Sequence, residues 1–138
     1  TVLHRVWDLV GDGKIFQFGI RSGDRSEFVW AKDHVFTNKF NFHGLKEIVD
    51  QLKEKPVYFT LDLDVLDPSV FPGTGTPEAG GVSFQELLEA MIQVSHLNIV
   101  GFDVNELSPV YDQSGSSTAM ACKVLRELLI AVMKNRAE

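Results

Sequence analysis

The strongest restriction on the fold comes from residues 56–94, where an apolar run, "PVYFTLDLDV", is followed by a proline- and glycine-rich loop and then by "VSFQELLEAMIQV". The first segment has strand length and β-forming residues, and the last has helical periodicity. Ser83 and Glu86 form an S-x-x-E capping box, and Val82 and Leu87 occupy the flanking staple positions. A strand that enters a helix through a loop is half of a β-α-β unit, whose next strand must run parallel to the first.

The rest of the chain repeats this alternation. Leu3, Val6, Trp7 and Val10 lie on one helical face, ended by "GDG", and "IFQFGI" reads as a buried strand. Ser26 is positioned to cap a short helix over "EFVWAKDH", and "VFTNKF" holds another brief strand. Leu45, Ile48, Val49 and Leu52 mark the next helix, closed by "KEKP". "LNIVGFDVNEL" reads as a further buried strand, and a long helix from about Ser116 to Lys134 places Leu125, Leu128, Leu129 and Val132 on one face. The expected fold is α/β, a three-layer α-β-α sandwich with a mainly parallel sheet. A chain of 138 residues fits one domain, since at that size roughly two thirds of the unfolded surface is buried.

Within that frame the carboxylates stand out. Side chains alternate along a strand, so Tyr58, Thr60, Asp62 and Asp64 are expected on one face, with Phe59, Leu61 and Leu63 on the other. Ligands of open parallel sheets bind beyond the carboxyl ends of strands, where both aspartates lie. Two like charges one pleat apart repel each other unless one takes a proton or a cation lies between them, and a metal site resolves that conflict. The alternative is a set of solvated strand-end and turn residues, with Asp67 capping the turn before Pro68. A calcium loop fails because Val65-Leu66 stand where Asp-Gly is needed and Gly73 replaces the bidentate glutamate. A divalent-metal phosphatase of the haloacid-dehalogenase type fits poorly, because its D-x-D is followed by Gly-Thr. "PGTGTPEAGG" lacks the G-K-[ST] of a phosphate cradle and reads as a rigid loop at the rim of the site.

Glu106 leaves the last strand at its carboxyl end, facing the same crevice, while Asp103 sits within that strand and needs a partner wherever it is buried. Arg21, Asp24 and Glu27 come after the first strand and are candidates to line the far end of a ligand. His4, His34, His43 and His96 are scattered without ligand spacing. Two or three carboxylates cannot complete the shells of two ions. This chain is therefore expected to hold only part of a metal site. A net charge of -6 with no basic cluster disfavours nucleic acid, and no apolar run reaches the roughly 18 residues of a spanning helix. With Cys122 as the one cysteine and no signal peptide in the sequence, a cytoplasmic location is expected.

These residues resemble the ureohydrolase family, the arginases and agmatinases. The family's T/S-x-D-x-D-x-x-x-P-x-x-x-P-G, with a Gly seven residues on, is met by Thr60, Asp62, Asp64, Pro68, Pro72, Gly73 and Gly81. "FGIRSGDR" resembles its G-[IL]-R strand end, and "DVNELSPVYDQSGSSTA" its D-x-x-E-x-x-P segment, in a form closer to agmatinases than to arginases. The resemblance implies an arginase-like fold and a site of two manganese ions, the residue matching Asp62 bridging both and that matching Asp64 binding one. It implies a hydroxide between the ions that attacks a guanidinium carbon, with Glu106 pairing the guanidinium. Agmatine cleaved to putrescine and urea is the first candidate reaction, and arginine or guanidinobutyrate is the alternative. Asp67, Asp103 and Asp24 are supporting or rim candidates, and no catalytic acid or base is assigned. The family's G-G-D-H and D-A-H-x-D segments, and a His-Gly that precedes the region "TVLHRV" matches, are absent. Residues 1–138 are accordingly expected to be the C-terminal portion of a single ureohydrolase domain, inactive alone, from an enzyme that is a homo-oligomer at full length. A non-catalytic module that pairs through an exposed sheet edge remains the reading from a different class.

Overall fold

The computed structural model describes residues 2–137. Along the chain run α1 (Val2–Val10), β1 (Phe16–Ile20), α2 (Arg25–His34), β2 (Phe36–Lys39), α3 (Leu45–Leu52) and β3 (Pro56–Asp62). A 3-10 turn (Leu63–Val65), α4 (Phe84–Val94), β4 (Asn98–Asn105), a second 3-10 turn (Pro109–Tyr111) and α5 (Ser116–Ala137) complete the order. The strands form two parallel pairs, β1 with β2 and β3 with β4, each joined through helices as the alternation requires.

Local chemistry sets most boundaries. Ser83 caps α4 by accepting from the Glu86 amide while the Glu86 carboxylate accepts from the Ser83 amide, the expected capping box. At α2 the expectation is corrected: Asp24, not Ser26, is the N-cap, its carboxylate accepting from the Ser26 amide at 2.7 Å. An aspartate two residues upstream reaches that amide directly, which leaves Ser26 inside the first turn.

The main core lies between β3–β4 and helices α3, α4 and α5, around Leu63, Leu66, Phe71, Leu87, Met91, Ile99, Val124 and Leu128. Leu66 and Phe71 are fully enclosed. Each anchors the start of the loop after β3 with about 1.5–3 kcal/mol of burial energy. A smaller cluster joins Leu3, Val6, Trp7 and Trp30 to Ile15, Ala31 and Val35, whereas Val10 is exposed. The α5 stripe is also rotated from expectation. Ala121, Val124, Leu128 and Val132 are buried, but Leu125 and Leu129 stand 41% and 40% exposed. This helix is apolar on more than one side, so periodicity alone did not select the face that meets α4 and the sheet.

Candidate active site

Strand β3 presents Tyr58, Thr60 and Asp62 on one face, opposite Gly101, Asp103 and Asn105 of β4, and sends Leu61 into the core. Strand β3 and its partner both run half-buried rather than buried on both faces, because this shared face is polar. An extra residue at the Val57/Tyr58 register shift sets that alignment.

The strand stops short of the second aspartate, which its sequence had placed within it. Asp62 pairs with Asn105, and there the ladder ends, because Glu106 turns away with a left-handed backbone (φ 69). Leu63–Val65 then curl into a 3-10 turn in which the Leu66 amide donates to the Leu63 carbonyl. Asp64 is thus carried by a turn rather than by the pleat it was expected to share with Asp62. Burial of Leu63 pulls the chain inward and leaves Asp64 half-buried at the same end of the sheet.

Electrostatics agrees with this convergence. Burial raises the Asp64 carboxyl above its ordinary value, the Asp62 and Glu106 charges add to the rise, and Arg21 opposes it. Burial also raises Asp62, although much of that residue's surface is open; the Asn105 amide opposes the rise and Asp103 adds to it. Asp62, Asp64 and Glu106 therefore share one electrostatic neighbourhood. Asp103 is the hub behind them: it accepts from the Tyr58 hydroxyl at 2.8 Å, from the Thr60 hydroxyl at 2.7 Å and from the Asn105 amide.

Asp67 belongs to the rim. Its carboxylate accepts from the amides of Ser69, Gly80 and Gly81, tying together the two ends of the loop and holding its pKa down to about 2. Gly81 passes so close to the Leu66–Asp67 backbone that a Cβ would overlap it. The loop is fastened to α5 as well, the Gly73 amide donating to the buried Ser117 hydroxyl at 2.9 Å. Asp24 is occupied in capping α2, and nothing among the described residues brings its carboxylate against Asp62.

Sequence reasoning missed the roles of three residues. Arg21 donates to the backbone carbonyls of Asp64, Val65 and Glu78. Asn105 joins Asp103 to Asp62, and Asp112 accepts from the Ser117 amide at 2.7 Å beneath the loop. A signal existed for the first two, since Arg21 lies inside "FGIRSGDR" and Asn105 inside "DVNELSPVYDQSGSSTA".

Asp62 and Asp64 are hard anionic oxygen donors whose mutual repulsion a cation would relieve, and in that respect they fit divalent metal. They do not complete a shell: among the described residues, no three His, Cys, Asp or Glu side chains come together to hold an ion. Two clefts of about 300 and 260 Å³ run along α5 and β4, and neither is bordered by these aspartates.

The profile of the Arginase family matches residues 1–131. The chain is 45% identical over 139 residues to an agmatinase of Bacillus anthracis, covering 97% of this chain and 48% of that protein. The agmatine ureohydrolase of Thermoplasma volcanium superposes with a TM-score of 0.83 at 32% identity, over 99% of this chain and 48% of that one. Arginase from Bacillus caldovelox superposes at 0.74 with 26% identity, over 85% of this chain and 43% of that one. The chain spans about half the length of the relatives it matches.

Proposed function

The chain belongs to the arginase family, and on that premise we propose that it forms the C-terminal part of a manganese-dependent ureohydrolase that cleaves agmatine to putrescine and urea. The observation that supports this reading is the placement of Asp62 at the end of β3, Asp64 in the turn after it and Glu106 just past the paired end of β4, near enough for the Asp62 and Glu106 charges to raise the Asp64 carboxyl. The form of "SPVYDQSGSSTA" favours an agmatinase over an arginase, and the identity to agmatinases makes agmatine the first substrate to test, with guanidinobutyrate as the alternative.

Asp62 and Asp64 would hold the metal, which when bound supplies Lewis acidity and water of lowered pKa. The chain's own residues supply position. Asp103, held by Tyr58 and Thr60, fixes Asn105, and Asn105 favours the charged form of Asp62. Glu106 offers a carboxylate to a planar guanidinium, a geometry that accepts two parallel charge-assisted bonds and orients the carbon for attack. Its left-handed backbone is costly for a non-glycine residue, a cost that recurs where a side chain must be aimed.

The 138-residue chain by itself is proposed to be inactive, because its donors fall short of a complete shell; robust manganese-dependent urea release by the purified chain would contradict that. In the native-length protein, Asp62→Asn and Glu106→Gln should each abolish most urea release from agmatine, and wild-type rates in either would sink the assignment. The enzyme is proposed to be cytoplasmic and homo-oligomeric. No helix among the described residues is long and apolar enough to cross a membrane, and exposed Val100, Ile130 and Met133 offer apolar surface for association. That same surface favours a second reading, a module that pairs without catalysis. A strictly monomeric mass in solution would count against it.

A further inference from the structure

Resting on the ureohydrolase reading, we propose that Arg21 is a positioning residue that sets the place of Asp64, and so the uptake of metal, by clamping the turn that carries it. Once β3 ends at Asp62, pairing with β4 no longer holds residues 63–65, and the Val65 carbonyl keeps only its main-chain bond from the Val82 amide across the loop. Arg21 takes over that task from the exit of β1. Its Nη1 donates to the Val65 carbonyl at 2.9 Å, its Nη2 to the Asp64 carbonyl, and its Nε to the Glu78 carbonyl at 3.1 Å across the rim.

Three features make this a clamp rather than a surface contact. The guanidinium is half-buried and planar, and its rigid fork of donors reaches two successive carbonyls that an ammonium cannot span. Two residues earlier, Gly19 has φ +74, and a Cβ there would lie 2.5 Å from Val65 Cγ2, so β1 is pressed directly against the turn. The Val65 carbonyl also accepts from the Val82 amide at 3.0 Å, while the Asp67 amide donates to the Val82 carbonyl at 3.0 Å. One cation therefore gathers the turn and both ends of the rim loop.

The choice of acceptor matters. A cation paired to the Asp64 carboxylate would compete with a metal ion for it. Arg21 instead bonds main-chain carbonyls beside that carboxylate, fixing its origin while leaving its oxygens to a ligand. It also means that three of the five guanidinium donors of Arg21 are spent on main-chain carbonyls.

The test uses the native-length protein, with manganese binding monitored by the electron paramagnetic resonance signal of free ion and urea release from agmatine measured alongside. In a folded Arg21→Lys variant, manganese affinity should fall by about 10–100-fold. Turnover should fall at limiting manganese and recover at saturating manganese, with KM for agmatine unchanged. A binding curve equal to wild type, a turnover loss that saturating metal does not restore, or a rise in KM alone would each overturn the proposal. Wild-type protein that takes up no manganese would instead sink the ureohydrolase reading, which separates the two failures. If Arg21→Lys does not fold, hydrogen exchange on the wild type decides. Added manganese should slow exchange in residues 63–67 and 78–82 together, and protection confined to 63–67 would overturn the coupling.

Discussion

Asp62 and Asn105 face each other as the last register pair of β3 and β4, and the Asn105 amide lies between the carboxylates of Asp62 and Asp103. One neutral side chain thus separates two negative charges and favours ionised Asp62. Asn105→Leu removes that donor from an exposed position, so the fold should survive while manganese affinity in the native-length protein drops about tenfold or more. Calorimetric titration with manganese gives the answer, and an unchanged affinity removes Asn105 from the site.

Asp64 is held where burial and two neighbouring carboxylates penalise its charge. Asp64→Asn should therefore raise the melting temperature of the metal-free protein while abolishing the stabilisation that manganese gives the wild type. Paired melts with and without the ion measure both effects. A metal-free variant that melts below the wild type would show that the Asp64 charge is not a source of strain.

The rim loop should open in acid. Asp67 has a folded pKa of about 2, set by Ser69, Gly80 and Gly81, below the unfolded value of about 3.9. A depressed carboxylate adds stability that is present above the unfolded value and lost as pH falls toward the folded one. Limited proteolysis should therefore begin to cut residues 67–81 between about pH 4 and pH 2, and Asp67→Asn should permit the same cuts at neutral pH.

Gly81 leaves no room for a side chain against the Leu66–Asp67 backbone. Gly81→Ala should cost about 1–3 kcal/mol, since main chain rather than a flexible side chain must move. Urea denaturation provides the measurement. An effect within about 0.5 kcal/mol, the range of an unremarkable surface change, would mean that the loop can shift freely.

Leu128 and Leu129 are sequence neighbours on different faces of α5, the first fully enclosed and the second 40% exposed. Leu128→Ala should cost about 2–5 kcal/mol, and Leu129→Ala far less. Equal costs from chemical denaturation would show that the second face of α5 is covered in solution.

Much of the fold was legible because its causes are local. Ser83 and Glu86 lie one helical turn apart, so their capping box could be read directly. Helical periodicity placed Leu45 and Val49, and the motif around Asp62 pointed to the end of a parallel strand. Asp62, Asp64 and Glu106 were also readable as site candidates, because carboxylates at the carboxyl ends of apolar parallel strands stand where such sheets bind ligands.

What only the tertiary structure decided depends on partners far along the chain. Arg21 meets carbonyls 43, 44 and 57 residues away, which no window of sequence displays. The end of β3 at Asp62 is set by where β4 stops pairing, and the buried face of α5 by which neighbour packs against it. From the sequence by itself came the charged groups and the segments that repeat with helical or strand period, since both are properties of adjacent residues. Their positions in the site were set by long-range packing, because carbonyls, glycine gaps and the strand ladder act only once the chain has brought them together.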